Sequence, residues 1–389
     1  MDTLIKILPA IRMILSKGEH AGIAKFIEAA DDQILSFTKE FPELVISMKL
    51  ENENDLLELK KNPSALPTSC FIGLDGRGLV AFSQSKTNVD DLIDFYKKWE
   101  KGEKGNLLLP EVEVVGRANQ KVIIVTGGAM GFGGGIVEEM FAEGANMVIA
   151  DLNEEKGKAL ESQLNKMGKD NKAMFVQADV SNPESVEKMV EQVVMEYGGL
   201  DAMISNAGVL RAGGLDEMDP KIFALMTNVN YAGYFYCAKY ASAIMKIQSE
   251  NSKDRYFDII QINSKSGLKG SNKNFAYAGG KFGGIGLTQS FALELMPDRI
   301  KVNSICPGNF FDGPLWSDPE NGLFVQYLNA GKVPGAKNIE DVKRFYEKQV
   351  PAGRGCRVID VVRAIYYVME QEYETGQAVP VTGGQNMLN

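Results

Sequence analysis

Two kinds of periodicity divide the chain. Over the first hundred residues, "IAKFIEAADDQILSFTKEF" and "NVDDLIDFYKKW" repeat apolar positions at helical spacing. "FIGLDGRGLVAF" reads as two short strands joined at Asp75-Gly76, a hairpin signal. The opening "MDTLIKILPAIRMILSKG" is apolar but interrupted by Asp2, Lys6, Arg12 and Lys17, and no small-residue cleavage site follows. It predicts an amphipathic surface helix and not a signal peptide. From Lys121 the pattern changes. "KVIIVTGG", "ANMVIADL", "KAMFVQADV", "LDAMISNAG", "DIIQINS" and "IKVNSICPG" are short β-branched apolar runs. Helical stretches such as "PESVEKMVEQVVMEYG" separate them. Strands apolar on both faces that alternate with helices predict a doubly wound parallel sheet. The expected fold is α/β throughout: a small unit over 1–103, a linker of glycine, proline and mixed charge over 104–119, and a larger unit over 120–389.

Composition narrows the function. A net charge of −9 opposes a nucleic-acid or anionic-membrane partner, which would want a basic face. An anionic small substrate would need cations gathered locally. Cys70, Cys237, Cys306 and Cys356 are scattered without a CxxC pair, so they read as reduced thiols of a cytoplasmic protein, with neither a disulfide frame nor a metal site. The one histidine, His20, lies in a polar stretch and is expected at the surface, which excludes histidine-based chemistry. No run approaches the roughly 18 apolar residues of a membrane span. Residues 1–103 show no spacing of a nucleophile, metal or phosphate site, so a packing or assembly module is expected there.

The chemistry concentrates after the first strand of the larger unit. "TGGAMGFGGG" places Gly127, Gly131, Phe132 and Gly133 between a strand and a helix. Glycine lets the backbone turn tightly and approach a pyrophosphate, and a helix N-terminus offers free N–H groups. The next strand ends in Asp151, 24 residues after Gly127, where a ribose-binding carboxylate is expected. No arginine or lysine stands in the loop or beside Asp151 before Lys156, which favours NAD over NADP. A helix-capping acid is the alternative reading of Asp151.

This loop resembles that of the short-chain dehydrogenase/reductase family, and further motifs follow in the family's order. Asp179 and Val180 end the third strand, where the resemblance implies an adenine contact. Asn206, Ala207 and Gly208 end the fourth and would lie along the cofactor. Asn230 matches the family's active-site asparagine, Ser264 its serine, and Tyr277 and Lys281 its tyrosine and lysine, thirteen and seventeen positions after the serine. Pro307 and Gly308 end the sixth strand, and Asn309 and Phe310 would meet the nicotinamide. The resemblance implies a Rossmann-like fold, an NAD-dependent oxidoreductase and a homo-oligomer, tetramer or dimer. A nucleotide-binding regulator without turnover stays open as a rival.

The proposed chemistry is simple. Oxidising an alcohol by hydride transfer needs a base for the hydroxyl proton, and tyrosine is a poor one at its free pKa near 10. Tyr277 and Lys281 stand four apart, so on a helix they share a face. Lys281, with the charge of an oxidised nicotinamide, is expected to lower the Tyr277 pKa and to bind the nicotinamide ribose. Ser264 would hold the substrate oxygen, and Asn230 a water linking Lys281 to solvent. Five of the ten residues in "YAGGKFGGIG" are glycine, a weak helix former, which implies close approach of another backbone or the cofactor.

Several stretches ("IIQINSKSG", "QVPAGRGC", "TGQAVPVTGGQ") resemble the polyol-phosphate dehydrogenases of the family over residues 120 to 389. They imply a sugar-alcohol phosphate and a keto-sugar phosphate as substrates, with D-sorbitol 6-phosphate and D-fructose 6-phosphate the expected pair and another polyol or deoxysugar phosphate the alternative. Lys265, Lys269, Lys273 and Arg354 are the candidate phosphate cations, arginine for its planar fork; solvated surface cations are the plain alternative. The forty residues after Gly308, with "FFDGPLW" and an amphipathic "IEDVKRFYEKQ", are expected to form a lid that orders on ligand binding.

Overall fold

A computed structural model describes residues 3–18, 20–48, 56–61, 66–74, 76–167, 170–252, 254–320, 322–329 and 331–387. The first unit runs α1 (Thr3–Leu15), β1 (Ile23–Ile27), α2 (Asp31–Glu40), β2 (Val45–Met48) and α3 (Leu57–Lys61). It continues with β3 (Cys70–Leu74), β4 (Gly78–Ser83) and α4 (Lys86–Glu100). Its sheet has the order β1-β4-β3-β2, with β3 and β4 antiparallel as the hairpin signal implied. Of the two turn residues, Asp75 lies outside the described residues. The helical reading of residues 23–27 is corrected: they are a strand paired antiparallel with β4, and the helix starts only at Asp31.

The second unit opens with β5 (Val122–Thr126), α5 (Gly131–Ala142), β6 (Asn146–Asp151), α6 (Glu154–Asn165), β7 (Ala173–Gln177), α7 (Pro183–Tyr197) and β8 (Ala202–Ser205). Next come α8 (Pro220–Thr227), α9 (Gly233–Glu250), β9 (Phe257–Ile262), α10 (Phe275–Leu295) and β10 (Ile300–Pro307). The chain ends in α11 (Pro314–Ser317), α12 (Leu323–Asn329), α13 (Ile339–Lys348), α14 (Val358–Glu370) and β11 (Ala378–Val381). The seven strands are all parallel in the order β11-β10-β9-β8-β5-β6-β7. Every residue of β5, β8, β9 and β10 is buried, which is why these segments read as continuous apolar runs. Local signals set the helix ends. The Asn182 side chain caps α7 before Pro183, and Gly198 closes it in the left-handed conformation.

The two sheets share one apolar core through α1. This helix is not a surface element: Ile7, Leu8, Ile11 and Leu15 are fully buried, and it packs on α7 and α9. Arg12, which seemed to break its apolar run, is fully buried as well. Its guanidinium donates to Asp201 Oδ2 at 2.6 Å and to the Gly22 carbonyl at 2.7 Å. Asp201 also accepts the Val122 N–H at 2.7 Å, at the start of the central strand. Burial alone would push this carboxyl up, but the Arg12 and Lys121 charges hold it below the usual carboxylate range. Lys25 and Lys86 add ion pairs to Glu196 of α7 at 2.7 and 3.0 Å, and Arg255 donates to the carbonyls of Gly18 and His20.

Removing one partner of a buried pair leaves a bare charge. Arg12→Ala is therefore expected to lower stability by about 3–5 kcal/mol in urea denaturation, whereas Arg12→Met combined with Asp201→Asn restores most of the loss. A single-variant loss below about 1 kcal/mol, the scale of an exposed pair, would show that Arg12 does not join the units.

Candidate active site

The strand order reverses between β5 and β8, and a cleft of about 690 Å³ opens at the carboxyl ends of the strands there. Its first wall is the loop after β5. Gly127 (φ +62°) turns the chain where a Cβ would lie 2.9 Å from the Ala207 Cα, so only glycine fits. The N-cap of α5 is Met130, which makes no side-chain cap. The first N–H groups of this helix are thus left for an acceptor from outside, the cradle a pyrophosphate fits. Gly133 packs inside, its Cα facing the Gly127 carbonyl, and Phe132 stacks on Phe310 with centroids 4.3 Å apart.

Asp151 ends β6 at the cleft and accepts N–H groups from Ala129 (3.0 Å) and Asn153 (2.9 Å). Asp179, Val180, Asn206, Ala207 and Gly208 line the same cleft, as do Pro307, Gly308, Asn309 and Phe310. Asn206 Nδ2 donates to the carbonyls of Thr126 and Gly127, which ties the β5 loop to the end of β8. These residues fit an extended dinucleotide lying across the switch point.

The reacting groups meet at the middle of the cleft. Ser264 follows β9, and its hydroxyl lies beside the phenol of Tyr277 in the cleft. Tyr277 and Lys281 share one face of α10, with the Lys281 ammonium 5.6 Å from the Tyr277 ring centroid. Lys281 is buried and donates to the Ile262 carbonyl at 2.8 Å. Burial brings its pKa down to about 8. The expected lowering of the Tyr277 pKa does not arise from the protein alone. Burial pushes the phenol up, and the Ser264 hydroxyl offsets this only in part.

Asn230 lies in a π-helical turn, Asn228–Ala232, between α8 and α9. Such single wide turns concentrate at functional sites. Its side chain is committed to the Val209 backbone, accepting the N–H at 2.9 Å and donating to the carbonyl at 2.8 Å. Gly208 lies between it and Lys281: a Cβ there would sit 3.1 Å from Asn230 Oδ1 and 3.9 Å from Lys281 Nζ.

The glycines of α10 divide by direction. A Cβ on Gly284 would strike the Gln261 side chain at 2.4 Å and one on Gly283 the Tyr231 ring at 2.7 Å, whereas Gly279 and Gly286 face open space. Close packing inside the subunit accounts for the first two.

Among the candidate phosphate cations, Lys265, Lys269 and Lys273 line the cleft, and Arg354 does not. Its guanidinium forks onto Asp360 at 2.6 and 3.0 Å, and it tethers the first turn of α14. An acid six positions on was the sequence signal for this. The segment after Gly308 folds as a cap with its own small core of Phe311, Trp316, Phe324, Val342 and neighbours. It lends the cleft Trp316, Tyr327, Lys332 and Tyr346, and the C-terminal segment lends Asn386, none of which the motifs marked. Among the described residues no cluster could hold a metal ion, and no helix is long and apolar enough to cross a membrane.

With this geometry in place, comparison defines the class. Residues 121–316 match the short chain dehydrogenase model, and the chain belongs to the short-chain dehydrogenase/reductase family, oxidoreductases that act on CH–OH groups with a nicotinamide cofactor. Within it, the chain is 34% identical over 270 residues to sorbitol-6-phosphate 2-dehydrogenase of Escherichia coli (strain K12), covering 69% of this chain and 99% of that protein. It is 30% identical over 280 residues to trans-4-hydroxycyclohexanecarboxylate dehydrogenase of Sinomonas cyclohexanicum, covering 70% and 95%. The crystal structure of sorbitol-6-phosphate 2-dehydrogenase from Erwinia amylovora matches with a TM-score of 0.62 and 33% identity, over 69% of this chain and all of that one.

A testable consequence concerns Lys281. Its pKa falls from 10.5 to about 8 on folding, so between those values the unfolded chain keeps a proton that the native state has lost. Native stability therefore rises with pH through that window, and the buried charge costs about 3 kcal/mol below it. Lys281→Met is expected to melt higher than the parent protein at pH 7, with the advantage fading towards pH 10. A pH-independent difference would count against a strained ammonium.

Proposed function

We propose that the chain is an NAD-dependent dehydrogenase interconverting D-sorbitol 6-phosphate and D-fructose 6-phosphate. The observation that carries the reading is the meeting of Ser264, Tyr277 and Lys281 in one cleft, with Asp151 at one end and lysines at the other. The two sorbitol-6-phosphate relatives support the substrate. A bound nicotinamide supplies the hydride acceptor. Ser264 holds the substrate oxygen and Tyr277 accepts its proton as the C–H bond gives up hydride. The Lys281 ammonium stabilises the phenolate that Tyr277 needs and offers donors to the ribose. Asn230, beside Gly208, orders the route by which the proton leaves from Lys281 to solvent.

NAD is favoured because the Asp151 carboxylate accepts from ribose hydroxyls and repels a 2′-phosphate. Lys156 gives NADP its one supporting observation, since its ammonium reaches back to within 4.0 Å of the Met130 sulfur. The open stripe of Gly279 and Gly286, flanked by exposed Phe235, Phe282 and Leu293, supports assembly into a homo-oligomer through this face.

A spectrophotometric screen for NADH across polyol phosphates, free polyols and both cofactors tests the reading. D-Sorbitol 6-phosphate with NAD should give the highest kcat/KM, and Tyr277→Phe should lower kcat by about 10²–10⁴-fold. Turnover that ignores the phosphate, or survives Tyr277→Phe, would refute it.

A further inference from the structure

Charge is sorted along the cleft. The only carboxylates among its lining residues are Asp151 and Asp179, both at the adenosine end. Lys265, Lys269, Lys273 and Lys332 line the same cleft, and of these Lys273 pairs with Glu217 on the outer rim. In a chain of net charge −9, four cations round one rim mark a place for an anion.

Two of these lysines are held from opposite sides. Lys332 belongs to the cap, between α12 and α13, and its ammonium rides 3.9 Å from the Tyr327 ring centroid. Tyr327 in turn packs against Tyr346 and Trp316, at 5.5 and 5.8 Å, so the lysine sits on an aromatic shelf rooted in the cap's own core. Such a shelf fixes the ammonium's position without neutralising it. Lys273 belongs to the base of the cleft. Its backbone is left-handed (φ +54°), a conformation that costs a non-glycine residue about 1–3 kcal/mol and persists only where the surroundings impose it. The Gly213 N–H donates to its carbonyl at 2.9 Å, and its ammonium reaches Glu217 at 3.1 Å on the exposed rim. Both lysines line the one cleft, and burial first, then the Lys273 charge, weakens the hold of Lys332 on its proton.

We propose that Lys332 from the cap and Lys273 from the base clamp the phosphate monoester of the substrate between them. The clamp rests on the polyol-phosphate reading and deepens it, by naming what distinguishes a phosphorylated polyol from a free one. A dianion outbids the exposed Glu217 carboxylate for Lys273, makes a second charge-assisted contact with Lys332 and ties the cap to the base. Arg354 has no part in it, since it does not line the cleft. Because one cation comes from the cap, a phosphate is also the ligand that favours the cap seated on the base.

Steady-state assays with NAD saturating compare the parent protein, Lys332→Ala and Lys332→Arg on D-sorbitol 6-phosphate and D-sorbitol. Loss of a charged hydrogen bond should cut the kcat/KM ratio of phosphorylated to free substrate by about 10- to 100-fold in Lys332→Ala, mostly through KM, with Lys332→Arg recovering most of it. Equal losses on both substrates, or an unchanged ratio, would overturn the clamp. A second measurement needs no turnover: inorganic phosphate is titrated against the fluorescence of Trp316, again with NAD saturating. Saturable binding that weakens about tenfold or more in Lys332→Ala and in Lys273→Ala supports the clamp, and binding indifferent to both overturns it. If the parent protein leaves D-sorbitol 6-phosphate unoxidised, the substrate reading fails and the titration alone decides the clamp.

Discussion

An ammonium group inside a protein is expensive unless something needs it there, and Lys281 is the group on which this site turns. It is buried, it has one carbonyl for a partner, and it faces the phenol whose proton affinity it must lower. Its position follows from the framework. The ammonium is anchored to the last residue of β9, Tyr277 is one turn away on the same helix, and Ser264 leaves the same strand two residues later. Ser264 follows β9 while Tyr277 and Lys281 ride on α10, so the packing of this helix against the strand end sets their mutual geometry. Burial keeps the phenol protonated and brings the lysine down to a pKa of about 8. The arriving positive charge of an oxidised nicotinamide therefore has a defined task, completing a balance that the chain leaves short.

Most of this was open to sequence reading. Six of the seven parallel strands showed as apolar runs, five of them because both faces are covered. Ser264, Tyr277 and Lys281, singled out by their match to the family's motifs, line one cleft because they belong to one strand-helix unit. What escaped had no local signature. β11 carries Pro380 and is only half buried, as an edge strand allows. β1 was absorbed into a helical pattern, since an apolar spacing that spans a strand, a turn and a helix imitates one amphipathic face. α1 looked amphipathic because Arg12 and Asp201, 189 positions apart, cancel each other only in three dimensions. Arg354 shows the converse, a cation whose acid stands only six positions on.

The cap shows the same limit from the functional side. Its aromatic residues were visible, but which of them would face the cleft depends on how α12 and α13 fold back, and that is a tertiary fact. Trp316 joins Phe311 and Phe324 in a small separate core, while Tyr327 and Tyr346 lie between that core and the cleft. A segment with its own core moves as a body, which suits a cover that must admit and release two ligands.

The burial of α1 bears on how this polypeptide can be cut. The relatives align with roughly its last 270 residues, and it would be natural to treat that portion as a freestanding enzyme and the rest as an appendage. Severed there, α7 and α9 would lose the helix that packs on them, and Asp201 would remain interred with its counter-charge gone. The leading hundred residues are thus part of the catalytic half's interior, and expression designs or domain swaps that respect only the family boundary would divide a single hydrophobic body.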